Sequence, residues 1–342
     1  MEDPSPGIHP GTSATKAAST GPATGHVYVP RLLTDDAMAE LGTLDRTLVV
    51  GPEEPPSRAE LLRGVTGAAA VICTLTERID AEVLDAAGPQ LRVVANTAVG
   101  YDNIDLSAAS SRGVVVTNTP GVLDRATADL TLGLILAAAR RIAEGDRFLR
   151  HGTPWTWGPR MMVGLDLSAG ATLGIIGLGR IGRAVARRAR AFDMRVLATP
   201  TRAELDEDER ASIEFVDLPA LLRRSDVVSL HCPLTPETRH LIDREALRLM
   251  KPTALLVNTA RGPVVDTDAL VAALESGEIG GAALDVYEDE PHVDPRLLAF
   301  EQVVLTPHLG SAGDATRSAM CRMSVANAVE VLAGRPPLTP VS

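Results

Sequence analysis

The segment GLGRIG, Gly177 to Gly182, constrains this chain more than any other: it stands directly after the apolar run TLGII and directly before the helical RIGRAVARRARAF. A GxGxxG pattern alone is weak, because glycine is common. A strand before it and a helix after it point to the phosphate-binding turn of a parallel α/β sheet. Gly177 permits the tight turn, Gly179 lets backbone approach a pyrophosphate, and Gly182 lets helix and strand close on each other. Free N–H groups at the helix start favour an anion there. The same residues would also serve a plain strand-to-helix turn with no ligand.

Around this turn the chain alternates short β-branched runs with helical stretches. A first series runs HVYVP, RTLVV, AAAVICT, LRVVANT and GVVVTNT, with SRAELLRGV and DAEVLDAAG between them. A second runs ATLGIIG, MRVLATP, DVVSLHC, TALLVNTA, GGAALDVY and QVVLTPH, which reads as six strands. Such alternation predicts parallel sheets with helical crossovers, and 342 residues suit two domains rather than one. Between the series, DRATADLTLGLILAAARRIAEGDRFLRHG reads as one long, mostly buried helix from Asp124, and a last helix is expected from roughly Ala312 to Ala333. Of the first 25 residues 19 are Gly, Ala, Ser, Thr or Pro without hydrophobic period, so a disordered leader is expected there. With 45% apolar but only 3% aromatic residues, the core must be built from Ala, Val, Leu and Ile.

Charge and cysteine usage narrow the partners. Lys plus Arg number 33 against 44 Asp plus Glu, a net charge of −11 that opposes binding to nucleic acid or an anionic membrane. Cys73, Cys232 and Cys321 are far apart, odd in number and in no CxxC spacing, so neither a disulfide framework nor a metal cluster is indicated, and a reducing cytoplasm fits. The longest apolar run, Leu130 to Ala139, is about half of the ~20 residues of a membrane span.

A dinucleotide fold that binds NAD usually places Asp or Glu after its second strand, on the ribose hydroxyls. Here the turn reads ATPTRAE, with Pro200 at the strand end followed by Thr201 and Arg202. An Arg there can hold a 2′-phosphate, which favours NADP over NAD; the alternative leaves Arg202 in solvent and brings Glu204 or Asp206 to the ribose.

Three further segments, NTARGPVVD, LDVYEDEP and LTPHLGS, join GLGRIG in an order that resembles the D-isomer-specific 2-hydroxyacid dehydrogenase family, from about His26 to about Leu332. Arg261, Glu290 and His308, 29 and 18 residues apart, match that family's catalytic set. AVGYDNID, GVVVTNTPGVL, ATADL and ARRIAEGD are most similar to its glyoxylate/hydroxypyruvate reductases. The resemblance implies two Rossmann-like doubly wound α/β domains. After the leader (1–25), residues 26–123 begin the substrate domain, 124–309 form an inserted dinucleotide-binding domain, and 310–342 return to the first. The reaction implied is reduction of a small 2-keto acid to the D-2-hydroxy acid by a homodimeric cytoplasmic enzyme.

That chemistry needs a cation for the carboxylate, a polarising group for the ketone and a proton donor. Arg261 follows the strand TALLVNTA, and its planar fork suits a carboxylate and the neighbouring carbonyl oxygen. His308 ends QVVLTPH; an imidazole titrates near ~6.5 and a nearby carboxylate would raise that, which makes Glu290 its natural partner. The resemblance further implies substrate carboxylate at the N–H groups of Val99 and Gly100. It sets Leu178, Gly179, Arg180 and Ile181 at the pyrophosphate, Thr201 and Arg202 at the adenosine ribose, and Cys232, Thr259, Ala260, His308 and Gly310 along the cofactor. Asp285 is set at the nicotinamide amide, and no metal is implied. Two rivals share the resemblance. A phosphoglycerate dehydrogenase would need cations such as Arg58, Arg63 and Arg78 around a phosphate, and corepressor scaffolds keep similar Arg, Glu and His residues without turnover.

Overall fold

The computed structural model describes residues 25–341. The leader expected over residues 1–25 lies outside the described residues but for Gly25. Strands β1 (His26–Val29), β2 (Leu48–Val50), β3 (Ala68–Cys73), β4 (Val93–Asn96) and β5 (Val115–Thr117) form one parallel sheet in the order β2-β1-β3-β4-β5. Strands β6 (Thr172–Ile176), β7 (Arg195–Ala198), β8 (Glu214–Phe215), β9 (Val227–Leu230), β10 (Leu255–Asn258), β11 (Gly281–Leu284) and β12 (Val303–Leu305) form a second, in the order β12-β11-β10-β9-β6-β7-β8. Counted from its own first strand, that order is the dinucleotide-binding one with a seventh strand added.

The inner strands are mostly apolar because both faces of each sheet are covered, with Asn96, Ser229 and Asn258 buried polar residues among them. In β10, Leu256 packs into one cluster while Leu255 and Val257 pack into the other, and β11 splits Ala282 and Leu284 from Ala283 in the same way. The first sheet repeats the pattern, with Val94 on one face and Val93 and Ala95 on the other. The last helix, Asp314–Leu332, returns to the first sheet, where Cys321, Val325, Ala328 and Leu332 pack with Val27, Val29, Ile72 and Val93. Among the described residues, no helix is long and apolar enough to cross a membrane.

Two expectations are corrected. The second sheet has seven strands, not six: the two-residue, exposed edge strand β8 carries no apolar run by which to find it. The single long helix is two, Asp124–Ala139 and Ile142–Arg150, broken at Arg141, whose backbone is left-handed (φ 53°). Tertiary contacts override local propensity here. The incoming Leu165 N–H takes the Ala139 carbonyl, and Arg141 forks onto Glu144 with two bonds of 2.6 Å.

Sheet register sets the site. Ile176, Leu230, Asn258, Leu284 and Leu305 lie opposite one another in successive strand pairs, so five strands end level and their following residues start on one edge. Strands β6 and β9 are neighbours whose connections leave to opposite sides, the place where open α/β sheets bind ligands.

The glycine turn supplies a stability test. A Cβ on Gly182 would stand 2.4 Å from the Gly177 carbonyl oxygen, whereas one on Gly179 would meet nothing within 4 Å. Gly182→Ala is therefore expected to lose about 1–3 kcal/mol, as overpacked sites do, and Gly179→Ala to unfold at the native denaturant midpoint. Equal midpoints for native protein and Gly182→Ala in urea titration would refute this close approach.

Candidate active site

Three of the turns that leave the strand ends are each held by one buried polar side chain. Asn258, last in β10, donates from Nδ2 to the Arg261 carbonyl (2.9 Å) and accepts the Ala260 N–H (3.0 Å). Asn96, last in β4, donates to the Gly100 carbonyl (2.8 Å). Asp285, just past β11, takes the Leu309 N–H (2.7 Å) and Thr306 hydroxyl (2.6 Å) on Oδ1 and the Gly310 N–H (2.8 Å) on Oδ2. Burial pushes the Asp285 carboxyl up, and the Thr306, Leu309 and Gly310 bonds and the charge of His308 oppose it. These anchors leave the strand-end turns little freedom.

His308 lies inside the turn that Asp285 holds, with a left-handed backbone (φ 54°) uncommon for a residue with a side chain. Its Nδ1 meets Glu290 Oε2 at 2.8 Å, so with Nδ1–H donating, Nε2 is the nitrogen left for chemistry. Glu290 Oε1 accepts the Tyr287 N–H at 3.0 Å. Burial works to raise the Glu290 carboxyl, but the His308 hydrogen bond and charge, the Tyr287 N–H and the Arg261 charge outweigh it, and it titrates below the usual range. The Tyr287 hydroxyl ties β11 to β12 through the Leu284 and Thr306 carbonyls, and burial pushes it up to about 12.

Arg261 faces the same cleft, of about 1240 Å³, which Thr74, Thr97, Asp102, Glu290 and His308 also line. Its Nε donates to Asp102 of the first sheet's loops (2.8 Å) and its Nη1 to the Ala260 carbonyl (2.8 Å). Nη2 lies 1.6 Å from where a Gly100 Cβ would be, so any side chain there would displace the guanidinium. The carbonyls of Val99 and Gly100 are bound by Asn118 and Asn96, while neither N–H has a partner among the described residues. An arginine fork and two free N–H groups on one seam can bind a carboxylate.

The glycine turn fits a dinucleotide pyrophosphate. Gly177 (φ 94°) packs against the His231–Cys232 backbone, where a Cβ would stand 2.4 Å from the Cys232 nitrogen. The helix Arg180–Arg190 starts at Gly179 with no side-chain cap, and the open space over Gly179 leaves its first N–H groups accessible to an anion. Arg180 is exposed and Ile181 half-buried, whereas Leu178 is buried in the core and offers only backbone. Thr259 shares a hydrogen bond of 2.9 Å with Thr131, and burial pushes the Cys232 thiol up to about 11. At the second strand's end, the Thr201 hydroxyl takes the Ala203 N–H while Arg202 is exposed with no side-chain partner among the described residues. Asp206 caps the helix Glu207–Ala211 through the Glu209 N–H.

The resemblance sets Asp285 at the nicotinamide amide, and in this structure its bonds also hold the His308 turn. The sequence reading did not single out Asn96, Asn258 or Asp102. The signal for the first two was present, an Asn closing an otherwise apolar strand; Asp102 had none. Arg58 pairs with Asp80 and Glu82, Arg78 with Asp80, and neither these two nor Arg63 lines the cleft. Among the described residues, no group of three or more His, Cys, Asp or Glu is placed to hold a metal ion.

The model of the D-isomer specific 2-hydroxyacid dehydrogenase NAD binding domain matches residues 132–310. A glyoxylate reductase of Korarchaeum cryptofilum is 51% identical over 314 residues, 91% of this chain and 94% of that protein. One of Thermofilum pendens is 48% identical over 317 residues, 91% and 92% of the two chains. A solved Thermus thermophilus protein superposes with a TM-score of 0.86 at 48% identity, covering 93% of this chain and 100% of that one. The NADPH-dependent glyoxylate/hydroxypyruvate reductase of Sinorhizobium meliloti, solved with NADP and malonate, gives 0.81 at 33% identity over 93% and 97%. With likeness of this depth along nine-tenths of its length and the dinucleotide-binding sheet order in its second half, the chain belongs to the D-isomer specific 2-hydroxyacid dehydrogenase family, oxidoreductases that use a nicotinamide dinucleotide.

Proposed function

We propose that the protein reduces glyoxylate, hydroxypyruvate or a similarly small 2-keto acid to the D-2-hydroxy acid. The observation that carries this is the His308–Glu290 pair, 2.8 Å apart and lining one cleft with Arg261. When bound, the reduced nicotinamide supplies a hydride to the carbonyl carbon. The substrate carboxylate lies against the Val99 and Gly100 N–H groups and one edge of the Arg261 fork. The remaining N–H of that fork polarises the ketone oxygen, and His308 Nε2–H gives its proton to that oxygen as it gains charge. Glu290, ionised at neutral pH, fixes the ring and stabilises its charged form. Asp285 holds the turn that presents the ring.

Steady-state kinetics on glyoxylate and hydroxypyruvate test this reading. Arg261→Ala is expected to lose about 10²–10³ in kcat/KM, the scale for removing a donor aimed at developing charge. Glu290→Gln removes a negative charge beside the proton donor. The alkaline limb of its reduction profile, where the donor loses its proton, should therefore move to lower pH. Native efficiency in the first variant, or an unmoved limb in the second, would sink the assignment.

NADPH is the preferred cofactor in this reading. Arg202 is free to meet a 2′-phosphate, no carboxylate stands at Pro200 to repel it, and Asp206 is committed to its helix cap. The expected result is a higher kcat/KM with NADPH than with NADH, the gap closing about tenfold in Arg202→Ala through loss of a charge-assisted contact. A native preference for NADH, or an Arg202→Ala variant with unaltered NADPH efficiency, would defeat it.

The active form is a homodimer joined through the segment carrying Trp155 and Trp157, which are 56% and 78% exposed, with Val163 exposed beside them. Sedimentation at micromolar concentration should give twice the chain mass; a monomer would refute it.

A further inference from the structure

We propose that His240 and Glu288 are a positioning pair, which at the border of the cleft sets how the loop bearing Arg261 stands against the loop bearing Glu290. This rests on the reaction proposed above. Tyr287 to Pro291 carries two glutamates with different partners: Glu290 bonds His308 in the cleft, and Glu288, which borders that cleft too, bonds His240 in an adjoining pocket of about 460 Å³.

His240 grips the Arg261 loop through its backbone, donating its N–H to the Pro263 carbonyl at 2.8 Å, and Ile242 continues with an N–H to the Val264 carbonyl at 3.0 Å. Through its ring it grips the Glu290 loop, Nε2 to Glu288 Oε1 at 2.5 Å. The other Glu288 oxygen accepts the Thr267 N–H at 3.3 Å, in the first turn of the helix Thr267–Ser276. Between the two grips the loops touch backbone to backbone: a Cβ on Gly262 would stand 1.9 Å from the Tyr287 carbonyl carbon and oxygen. Movement at Glu288 is therefore transmitted to Arg261 on one side and to Glu290, two residues on, on the other.

The backbone argues against an ordinary surface ion pair. Both side chains are about one-third exposed, and pairs in such surroundings contribute little to stability. His240 nevertheless keeps a left-handed backbone (φ 52°), which costs a residue with a side chain and persists where neighbouring contacts enforce it. Of the pocket's other charges, Asp266 caps its helix through the Ala269 N–H and Asp268 and Asp294 pair with Arg296, while Asp289 and His292 meet through backbone, His292 N–H to the Asp289 carbonyl at 2.8 Å. Burial pushes Glu288 up, but the His240 bond and the Thr267 contacts win and hold it below the usual carboxylate range.

The test is a double-mutant cycle on the full chain with glyoxylate and NADPH. His240→Asn keeps a residue that tolerates the left-handed backbone, and Glu288→Gln keeps the shape of the acid. Each is expected to lower kcat about tenfold, a loss suited to sub-ångström misplacement, with KM and the calorimetric Kd for NADPH within about twofold of native. In a Glu290→Gln background the same changes should cost less than about threefold, because the group they position is already impaired. Native kcat in both single variants, or equal losses in both backgrounds, overturns the positioning role while leaving the acid–base reading intact. An unmoved alkaline limb in Glu290→Gln alone strikes the acid–base reading, and the positioning role falls with it.

Discussion

Much of the site depends on one constraint: a parallel strand buried on both faces must end somewhere, and where it ends the backbone loses its ladder partners in an apolar surrounding. Buried N–H and carbonyl groups left without partners are costly, so a polar side chain at that point has large leverage. Asn96, Asn258 and Asp285 are such side chains, each fully buried and each bonded to the turn that follows or neighbours its strand. They convert the end of an apolar core into rigid platforms for Gly100, Arg261 and His308. The chemistry-bearing residues then need no side-chain packing of their own and remain accessible to small molecules.

The second constraint is that these platforms belong to two sheets. Asp102 and Gly100 follow β4 of the first, Arg261 follows β10 of the second, and the Arg261–Asp102 bond of 2.8 Å crosses the seam. In the proposed reaction a substrate carboxylate meets an arginine whose Nε is already committed, so the outer edge of the fork is the part it can use. Asp102 thereby fixes the plane of the guanidinium and limits the angles from which an acid can approach.

How far the sequence reveals this varies with the physics. Sheet class and the glycine turn are legible because an apolar strand, three glycines and a helix leave few other solutions. Arg261, Glu290 and His308 stand out because each follows an apolar run in a recognisable order. The two-residue edge strand β8 is invisible because edge pairing needs no hydrophobic pattern. The break at Arg141 is invisible because it is decided by Leu165, 24 residues later, claiming a carbonyl. His240 and Glu288 are individually unremarkable loop residues, and only the fold brings their side chains together across 48 positions.

The level row formed by Ile176, Leu230, Asn258, Leu284 and Leu305 has a consequence for folding quality. Register is set by hydrophobic alternation, and these inner strands are apolar on both faces, so the usual penalty for a slipped strand is weak. The polar closers supply it instead. A slip of one residue at β10 would move Asn258 along the strand by about 3.3 Å, beyond hydrogen-bond tolerance, and would turn its amide toward the opposite face. The sheet could still hide its aliphatic side chains while the turn beneath Arg261 lost its partners. In this architecture, a proofreading signal for strand alignment and the placement of the arginine proposed to bind substrate are carried by the same amide.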